Sequence, residues 1–201
     1  SLGVHFVFAP TPEEMYSAEE MAIPFVFDFD GLDKVMEGKM RPGHFNGVVQ
    51  VVSRLFELVR PTRAYFGEKD FQQLAIIRYM VERSAMAPQF HGIQIIGCPI
   101  VREPSGLAMS SRNERLSAAE KQTAVAVSQA LISSLEWAKT ASVAQVQQRV
   151  IDTINAIDGL EVEYYEIVDK TTLQPTSTFD NAIGCITVYC GPVRLIDNIQ
   201  Y

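Results

Sequence analysis

The spacing of apolar residues along the chain predicts short strands and longer helices in turn. Residues 4–8 form an apolar run closed by Ala9-Pro10, which is typical of a buried strand. Thr11 and Pro12 with two glutamates after them predict a helix start, with Thr11 as the N-cap. Residues 25–29 form a second apolar stretch.

A longer helix is predicted after the loop-like segment at residues 41–45. It ends at Pro61, and its apolar stripe consists of Val48, Val52, Leu55 and Val59. The segments that follow are predicted as a strand, a helix and a strand region, at residues 64–66, 70–80, 93–96 and 99–101. This alternation of strand and helix predicts a parallel sheet with crossover helices.

The second half of the chain has a different pattern. Ser117 with Glu120 three positions later forms a capping box, which predicts a long helix to about Trp137. A second helix at about residues 143–157 and strands at 162–168, 183–189 and 193–199 follow. We therefore expect a domain at residues 1–102 and a smaller α+β domain at residues 103–201.

Charge and composition narrow the classes of partner. The formal charge is −7, whereas nucleic-acid binding needs clustered Lys and Arg, so we expect no nucleic-acid partner. No apolar run approaches the roughly 18 residues that span a bilayer, so we expect no membrane partner. Cys98, Cys185 and Cys190 form no C-x-x-C pair, which argues against zinc and predicts free thiols in the cytoplasm.

The first candidate site is the stretch Gly67-Glu68-Lys69-Asp70, which lies between the end of a predicted strand and the start of a predicted helix. Ligands bind beyond the carboxyl ends of parallel strands, and helix N-termini favour phosphate. Gly67 permits close backbone approach, Lys69 supplies a positive charge, and Gln73 lies one turn beyond Asp70. The alternative is a strand end with a surface lysine and a structural N-cap.

The second candidate is the Gly-led loop that contains Ser110, Ser111 and Arg112. Two hydroxyls beside a guanidinium suit a polyphosphate. The alternative is a polar interdomain loop whose serines make local turns. In a third segment, Arg41 and His44 either contact a ligand or satisfy backbone groups near a helix start.

Four sequence strings, in this order, resemble the pantoate–β-alanine ligase family. They are RPGHFNGV, FGEKDFQQLAIIR, GLAMSSRN and RLIDNI, and the resemblance runs from one end of the chain to the other. It implies an α/β fold: a Rossmann-like nucleotidyltransferase parallel sheet followed by a small α+β domain. It also implies a cytoplasmic homodimer that uses ATP and Mg²⁺ to join pantoate to β-alanine through a pantoyl adenylate.

The resemblance also implies roles for the residues of the first stretch. Gly67, Glu68, Lys69 and Asp70 match an ATP-binding segment. In it, Lys69 stabilises charge on the phosphates as the α-phosphate is attacked, and Gly67 and Asp70 hold the ribose. Gln73 binds pantoate.

The loop residues receive roles in the same way. Val101 and Met109 flank the adenine, largely through backbone groups. Ser110, Ser111 and Arg112 hold the outgoing pyrophosphate. Lys69 and Arg112 are thus the implied catalytic residues, and no residue is assigned to a metal.

One departure from the family is large. Family members carry an H-x-G-H motif near the N-terminus that binds phosphate and supplies a catalytic histidine, and this sequence contains none. A chain that starts without Met and enters an apolar run at once is expected to be cut from a longer one. We therefore expect these residues to be the C-terminal two-thirds of a ligase, with an incomplete parallel sheet, and to be inactive alone.

Two other functions remain open at this point. One is another nucleotidyltransferase of the same fold with a different acceptor, since fold alone does not set function. The other is a non-catalytic interaction module that kept the fold and lost the first motif. The coding DNA upstream of Ser1 discriminates between truncation and such a module.

Overall fold

The first half of the protein combines helices with a two-stranded parallel sheet. The computed structural model describes residues 3–83 and 85–201. Its helices here are α1 (Pro12–Met15), α2 (Ala18–Ala22), α3 (Met36–Met40), α4 (His44–Val59) and α5 (Phe71–Glu82). Strand β1 (Arg63–Gly67) pairs in parallel with β2 (Gln94–Cys98), and α5 lies between them in sequence. The predicted parallel sheet with a crossover helix is therefore confirmed.

The second half consists of two helices and an antiparallel sheet. Helices α6 (Ala118–Trp137) and α7 (Val143–Asn155) precede β3 (Leu160–Asp169), β4 (Ala182–Cys190) and β5 (Val193–Gln200). The strand order is β3-β4-β5, with both neighbouring pairs antiparallel. Ser117 and Glu120 form the predicted capping box on α6. The predicted fold class is thus confirmed, while the domain boundary near residue 102 stays a prediction.

The antiparallel sheet carries a core on each face. Along β4, Ile186, Val188 and Cys190 pack with α6 and α7, whereas Ile183 and Cys185 pack with the first half of the chain. Successive side chains of a strand point to opposite faces, which explains the split. Cys185 and Cys190, five positions apart on β4, accordingly lie on opposite faces, and all three cysteines are free.

The predicted strand at residues 4–8 is wrong. These residues form no strand, and the exposed fractions of Val4, Phe6, Val7 and Phe8 range from 58% to 92%. A strand needs a neighbour for its backbone hydrogen bonds, and no described strand pairs with this run. Apolar residues alone therefore do not make a strand here.

Two other predictions are wrong in part, since Val48 and Val52 of the predicted α4 stripe do pack, partly buried, against the core. On α4 the buried residues are Phe45, Val49 and Phe56, while Val59 is 55% exposed. Phe56 packs edge-on against two other aromatic rings, so the larger phenylalanine side chains set which face turns inward. Strand β2 ends at Cys98 and does not continue through residues 99–101, because Pro99 has no N–H for the ladder.

No helix of the described residues combines the length and apolar character that crossing a membrane requires.

Candidate functional site

A pocket opens between the start of α4, the turn that follows β1, and the antiparallel sheet. We call it the Lys69 pocket. It is lined by Met36, Glu37, Arg41, His44, Phe45, Lys69, Asp70, Phe71, Gln72, Gln73, Arg112, Tyr164, Cys185, Ile186, Ile196 and Asp197. Residues from both halves of the chain therefore form this one pocket.

Lys69 lies in a 3₁₀ turn, Glu68–Asp70, between the end of β1 and the start of α5. This is the carboxyl end of a parallel strand, where ligands bind in open α/β sheets. A Cβ atom built on Gly67 would meet nothing within 4 Å, so the backbone there is open. The structure thus places Gly67 and Lys69 where an incoming phosphate could approach the chain.

Asp70 and Gln73 line the pocket with uncommitted side chains. Asp70 makes no capping hydrogen bond to α5, contrary to the structural N-cap alternative. Within the described residues, the Gln73 side chain also has no hydrogen-bond partner. The neighbouring Gln72 differs, because its Nε2 donates to the C=O groups of Leu32 and Val35. Gln72 is therefore structural, and Gln73 is free to bind a ligand.

Arg112 reaches the Lys69 pocket from the loop after β2. Its Nη1 donates to the C=O of Arg194 at 3.2 Å. Ser110 accepts from the N–H of Arg112 at 3.2 Å and lines an adjoining cavity that also contains Lys69 and Arg112. Ser111 is exposed and lines neither cavity.

Gly67, Ser110 and Ser111 do not line the Lys69 pocket, and three further predicted residues, Glu68, Val101 and Met109, also lie outside it. Val101 and Met109 are 66% and 55% exposed, and the N–H of Met109 donates to the C=O of Val101 at 2.9 Å. The N–H of Met109 is therefore already used in a hydrogen bond within the loop. Glu68 turns toward Gly97, and its Oε2 accepts from Gln200 at 3.4 Å.

Burial and charge set the protonation of the two main bases in the pocket. Burial lowers the pKa of Lys69, and the Arg112 guanidinium acts in the same direction, while nearby carboxylates including Asp70 and Asp197 oppose it. Burial and then the adjacent Arg41 lower the pKa of His44, whose Nε2 lies 3.2 Å from Arg41 Nη1. Both bases give up a proton more easily here than in water.

Asp197, which lies in one of the four sequence strings but received no role there, completes the pocket. Asp197 is 7% exposed and accepts two hydrogen bonds from Arg102, at 2.7 and 3.0 Å. Asn198 beside it is 3% exposed. One signal could have revealed them, because two adjacent polar residues inside an apolar strand are costly to bury unless they are used.

A second buried group ties α3 to the antiparallel sheet. Glu37 accepts from Arg194, from the Tyr164 hydroxyl at 2.9 Å and from the Thr187 hydroxyl at 3.1 Å. Burial by itself would raise the pKa of Glu37, but these hydrogen bonds and the Arg194 charge hold it below its ordinary value. The carboxylate therefore stays charged and fixes the segment that leads to Arg41.

No group of three or more His, Cys, Asp or Glu side chains within residues 3–83 and 85–201 is arranged to hold a metal ion. Asp197 and Glu37 are already occupied by arginines. Lys69 and Arg112, together with Arg41, instead give the pocket three cationic side chains, which suits an anionic ligand such as a phosphate or a carboxylate.

Comparison with known proteins agrees with this chemistry. A family model described as pantoate-beta-alanine ligase matches residues 1–200. A pantothenate synthetase of Phocaeicola vulgatus is 57% identical over 203 residues, covering 100% of this chain and 70% of the relative. One from Porphyromonas gingivalis is 48% identical over 202 residues, covering 99% of this chain and 69% of the relative.

Solved structures show the same similarity. The pantothenate synthetase of Thermus thermophilus matches with a TM-score of 0.88 at 40% identity, over 98% of this chain and 70% of that one. A pantoate-beta-alanine ligase from Francisella tularensis, complexed with beta-gamma ATP and beta-alanine, matches with a TM-score of 0.60 at 30% identity, over 84% of this chain and 55% of that one. The chain therefore belongs to the pantoate–β-alanine ligase family.

Proposed function

We propose that this chain forms the ATP and pantoate site of an enzyme that condenses pantoate with β-alanine through a pantoyl adenylate. The observation that carries the proposal is the meeting of Lys69 and Arg112 in one pocket with Asp70 and Gln73. Arg112 comes from a different sequence motif from the other three residues, and each has the chemistry that its proposed role needs.

In the first step, a carboxylate oxygen of pantoate attacks the α-phosphorus of ATP. The bond from that phosphorus to the bridging oxygen breaks, and pyrophosphate leaves. Negative charge moves onto the phosphate oxygens, where Lys69 and Arg112 stabilise it with charged N–H donors. Ser110 and Ser111 add neutral donors for the outgoing pyrophosphate.

The remaining residues orient the two substrates. Gln73 offers both a donor and an acceptor to pantoate, and its side chain is uncommitted. Asp70 accepts from a ribose hydroxyl, and the open backbone at Gly67 lets the sugar approach. Glu68 supports this turn, while Val101 and Met109 flank the adenine through the backbone groups that their mutual hydrogen bond leaves free.

In the second step, the amine of β-alanine attacks the acyl carbon of the adenylate. The new C–N bond forms, AMP leaves with the former carboxylate oxygen, and the nitrogen loses a proton. Activation is necessary because oxide is a very poor leaving group, whereas AMP is a good one. The Francisella relative, complexed with an ATP compound and β-alanine, supports both substrates.

The described residues of the pocket offer no ligand set of their own for Mg²⁺, so we propose that the ion arrives with the nucleotide. Mg²⁺ usually keeps several waters and binds through substrate phosphates with one or two carboxylates. The described residues offer no three-ligand cluster, so we assign no protein ligand to it. When bound, the ion would neutralise phosphate charge beside Lys69 and Arg112.

Separate half-reactions test the proposal in the protein that carries this chain. With pantoate and ATP alone, we expect one equivalent of pyrophosphate per site and a bound pantoyl adenylate. Adding β-alanine should then release AMP and pantothenate. Pyrophosphate release that requires β-alanine would exclude the adenylate, and release with a different acid alone would favour another acceptor.

The proposal also covers the activity of the isolated chain, its cellular location and its oligomeric state. We propose that the 201 residues alone make no pantothenate, because the H-x-G-H motif is not among them. Turnover by the purified chain, free of host enzyme, would contradict this. A cytoplasmic location fits the three free thiols. The homodimer rests on family resemblance.

A further inference from the structure

Asn198, on β5, reaches across to the turn that carries Lys69. Its side-chain Nδ2 donates to the C=O of Glu68 at 2.7 Å and to the C=O of Lys69 at 3.0 Å. The residue is only 3% exposed, and its backbone N–H donates to Oδ1 of Asp197 at 2.8 Å. The side-chain amide thus uses its donors on the backbone of one short turn.

The turn Glu68–Asp70 has no side-chain cap of its own. No side-chain capping bond is made at its start, by Gly67, or at the start of α5, by Asp70. A second hydrogen bond from β5, the long one at 3.4 Å from Gln200 Nε2, reaches the Glu68 side chain. Residues 198 and 200 share one face of the strand. The backbone beside Lys69 is therefore held from β5, 129 residues further along the chain.

Asp197 adds an electrostatic contact at the same place. It lines the Lys69 pocket, and Arg102 holds its carboxylate in a fixed, bidentate arrangement. Its negative charge favours the protonated form of Lys69. One dipeptide of β5 thus faces Lys69 with both a backbone clamp and a fixed charge.

For catalysis, a lysine in this turn is not sufficient, because its ammonium group must also lie at the right place. A flexible lysine stabilises a transition state only if its ammonium is already in place when charge develops. Asn198 itself does not line the Lys69 pocket. Any effect of Asn198 on the reaction therefore passes through the turn.

We propose that Asn198 is a positioning residue for the adenylation step, which it serves by clamping the backbone of Glu68 and Lys69. The inference rests on the role proposed above for Lys69. It assigns the C-terminal sheet a part in the chemistry of the first half of the chain: β5 sets where the Lys69 ammonium lies.

The test is a double-mutant cycle of Asn198→Ala and Lys69→Ala in the ligase that carries this chain, read as single-turnover pyrophosphate release. For Asn198→Ala we expect a loss of about 10- to 100-fold in the rate at saturating substrates, since a misplacement of about 1 Å has effects of that size. The KM for ATP should change less than about threefold, because a transition-state interaction is lost. In the Lys69→Ala background, Asn198→Ala should slow the reaction less than about twofold further.

Two other variants separate positioning from general destabilisation. Ser134→Ala removes a buried hydroxyl of α6 that bonds the C=O of Leu131 and the Tyr201 hydroxyl, away from the pocket, and should leave the rate unchanged. Asn198→Asp keeps the shape of the side chain but replaces its donors, and should lose as much rate as Asn198→Ala. It serves as the second variant if Asn198→Ala does not fold.

A spectroscopic measurement makes the inference independent of turnover. After reductive ¹³C-methylation, the Lys69 signal is identified by its absence in Lys69→Arg. It should shift in Asn198→Ala or Asn198→Asp and stay in place in Ser134→Ala. If the wild-type protein shows no pantoate-dependent pyrophosphate release, the proposed function fails, and this signal alone decides whether Asn198 positions Lys69.

Three results would overturn the inference. The first is a rate loss below about threefold in Asn198→Ala. The second is a rate loss that is equally large in the Lys69→Ala background, and the third is a Lys69 signal that does not shift in Asn198→Ala or Asn198→Asp. Each would make Asn198 a residue of the fold only.

Discussion

Arg194 holds the carboxylate of Glu37 with two hydrogen bonds, 2.9 Å from Nη1 to Oε2 and 2.6 Å from Nη2 to Oε1. The two residues are 157 positions apart and join α3 to β5. Arg194 also pairs with Glu163 on β3. Burial alone would lower the pKa of Arg194, but the hydrogen bonds that it donates to both carboxylates raise this pKa, so the guanidinium stays charged.

Glu37→Gln should destabilise the protein by about 2–4 kcal/mol, because it leaves a mostly buried arginine with one carboxylate fewer. The side chains of Glu37 and Arg194 are 14% and 17% exposed, so water replaces the lost charge poorly. Urea unfolding measures the effect. The control is Glu136→Gln, whose exposed pair with Lys139 should contribute less than about 0.5 kcal/mol. Equal effects of the two variants would contradict the prediction.

The stability that Glu37 contributes should disappear in acid. Its pKa in the folded protein lies below the ordinary value of 4.5, so the folded state favours the charged form. The contribution is therefore complete above the unfolded-state value and is lost as pH falls through the folded-state pKa. The stability gap between wild type and Glu37→Gln should be constant near neutral pH and shrink below pH 4.5. A gap that widens in acid would reverse the assigned sign.

Lys69→Ala should slow pantoate-dependent pyrophosphate release by about 100-fold, the usual effect of losing one well-placed donor to a transition state. Arg112→Ala should slow the same half-reaction. Lys139→Ala, which removes an exposed lysine of the second half, is the control and should change nothing. A loss below about threefold for Lys69→Ala would mean that the lysine has another role.

The same half-reaction should decline at alkaline pH. Burial lowers the pKa of Lys69, and the charge of Arg112 lowers it further. The carboxylates of Asp70, Asp197 and Glu37 raise this pKa but do not cancel the shift. Since the protonated form is the active one, the rate should fall as pH rises through this pKa, below the ordinary value of 10.5. Lys69→Arg should move the decline to higher pH, because arginine keeps its charge. An unchanged alkaline limb in Lys69→Arg would assign it to another group.

The isolated 201-residue chain should associate or rearrange through its parallel sheet. Strand β1 pairs with β2 on one edge and with no other described strand, and Tyr65 is 63% exposed. Such an edge templates pairing with another chain, and a charged residue blocks it. Tyr65→Lys should therefore raise the monomer fraction in analytical ultracentrifugation. A compact wild-type monomer with uniformly strong hydrogen-exchange protection over residues 4–101 would contradict the prediction.

Signals that act within a few residues were readable from the sequence. The capping residues Thr11 and Ser117 start helices where predicted, because a cap satisfies N–H groups only three positions away. The turn at Lys69 follows a strand and precedes a helix, also as predicted. The same local signals singled out six residues that line the Lys69 pocket: Arg41, His44, Lys69, Asp70, Gln73 and Arg112.

Structural features that depend on distant partners could not be predicted from the sequence. The apolar run at residues 4–8 has the composition of a strand, yet strand formation requires a neighbour, and none of the described strands pairs with it. Likewise, Val59 fits the apolar stripe of α4 but is the last residue of the helix and is 55% exposed. Periodicity identifies a possible face, and packing decides which part of it is buried.

The sequence by itself determined the helix caps, the strand-to-helix turn that carries Lys69, and the residue types that suit a phosphate ligand. The tertiary structure alone decided that β5 brings Asn198 and Asp197 to that turn and that Glu37 meets Arg194. The physical reason is range. Caps and turns are settled by hydrogen bonds between residues a few positions apart, whereas the pocket is closed by buried polar side chains whose partners, more than 90 residues away, are fixed only when the two halves pack together.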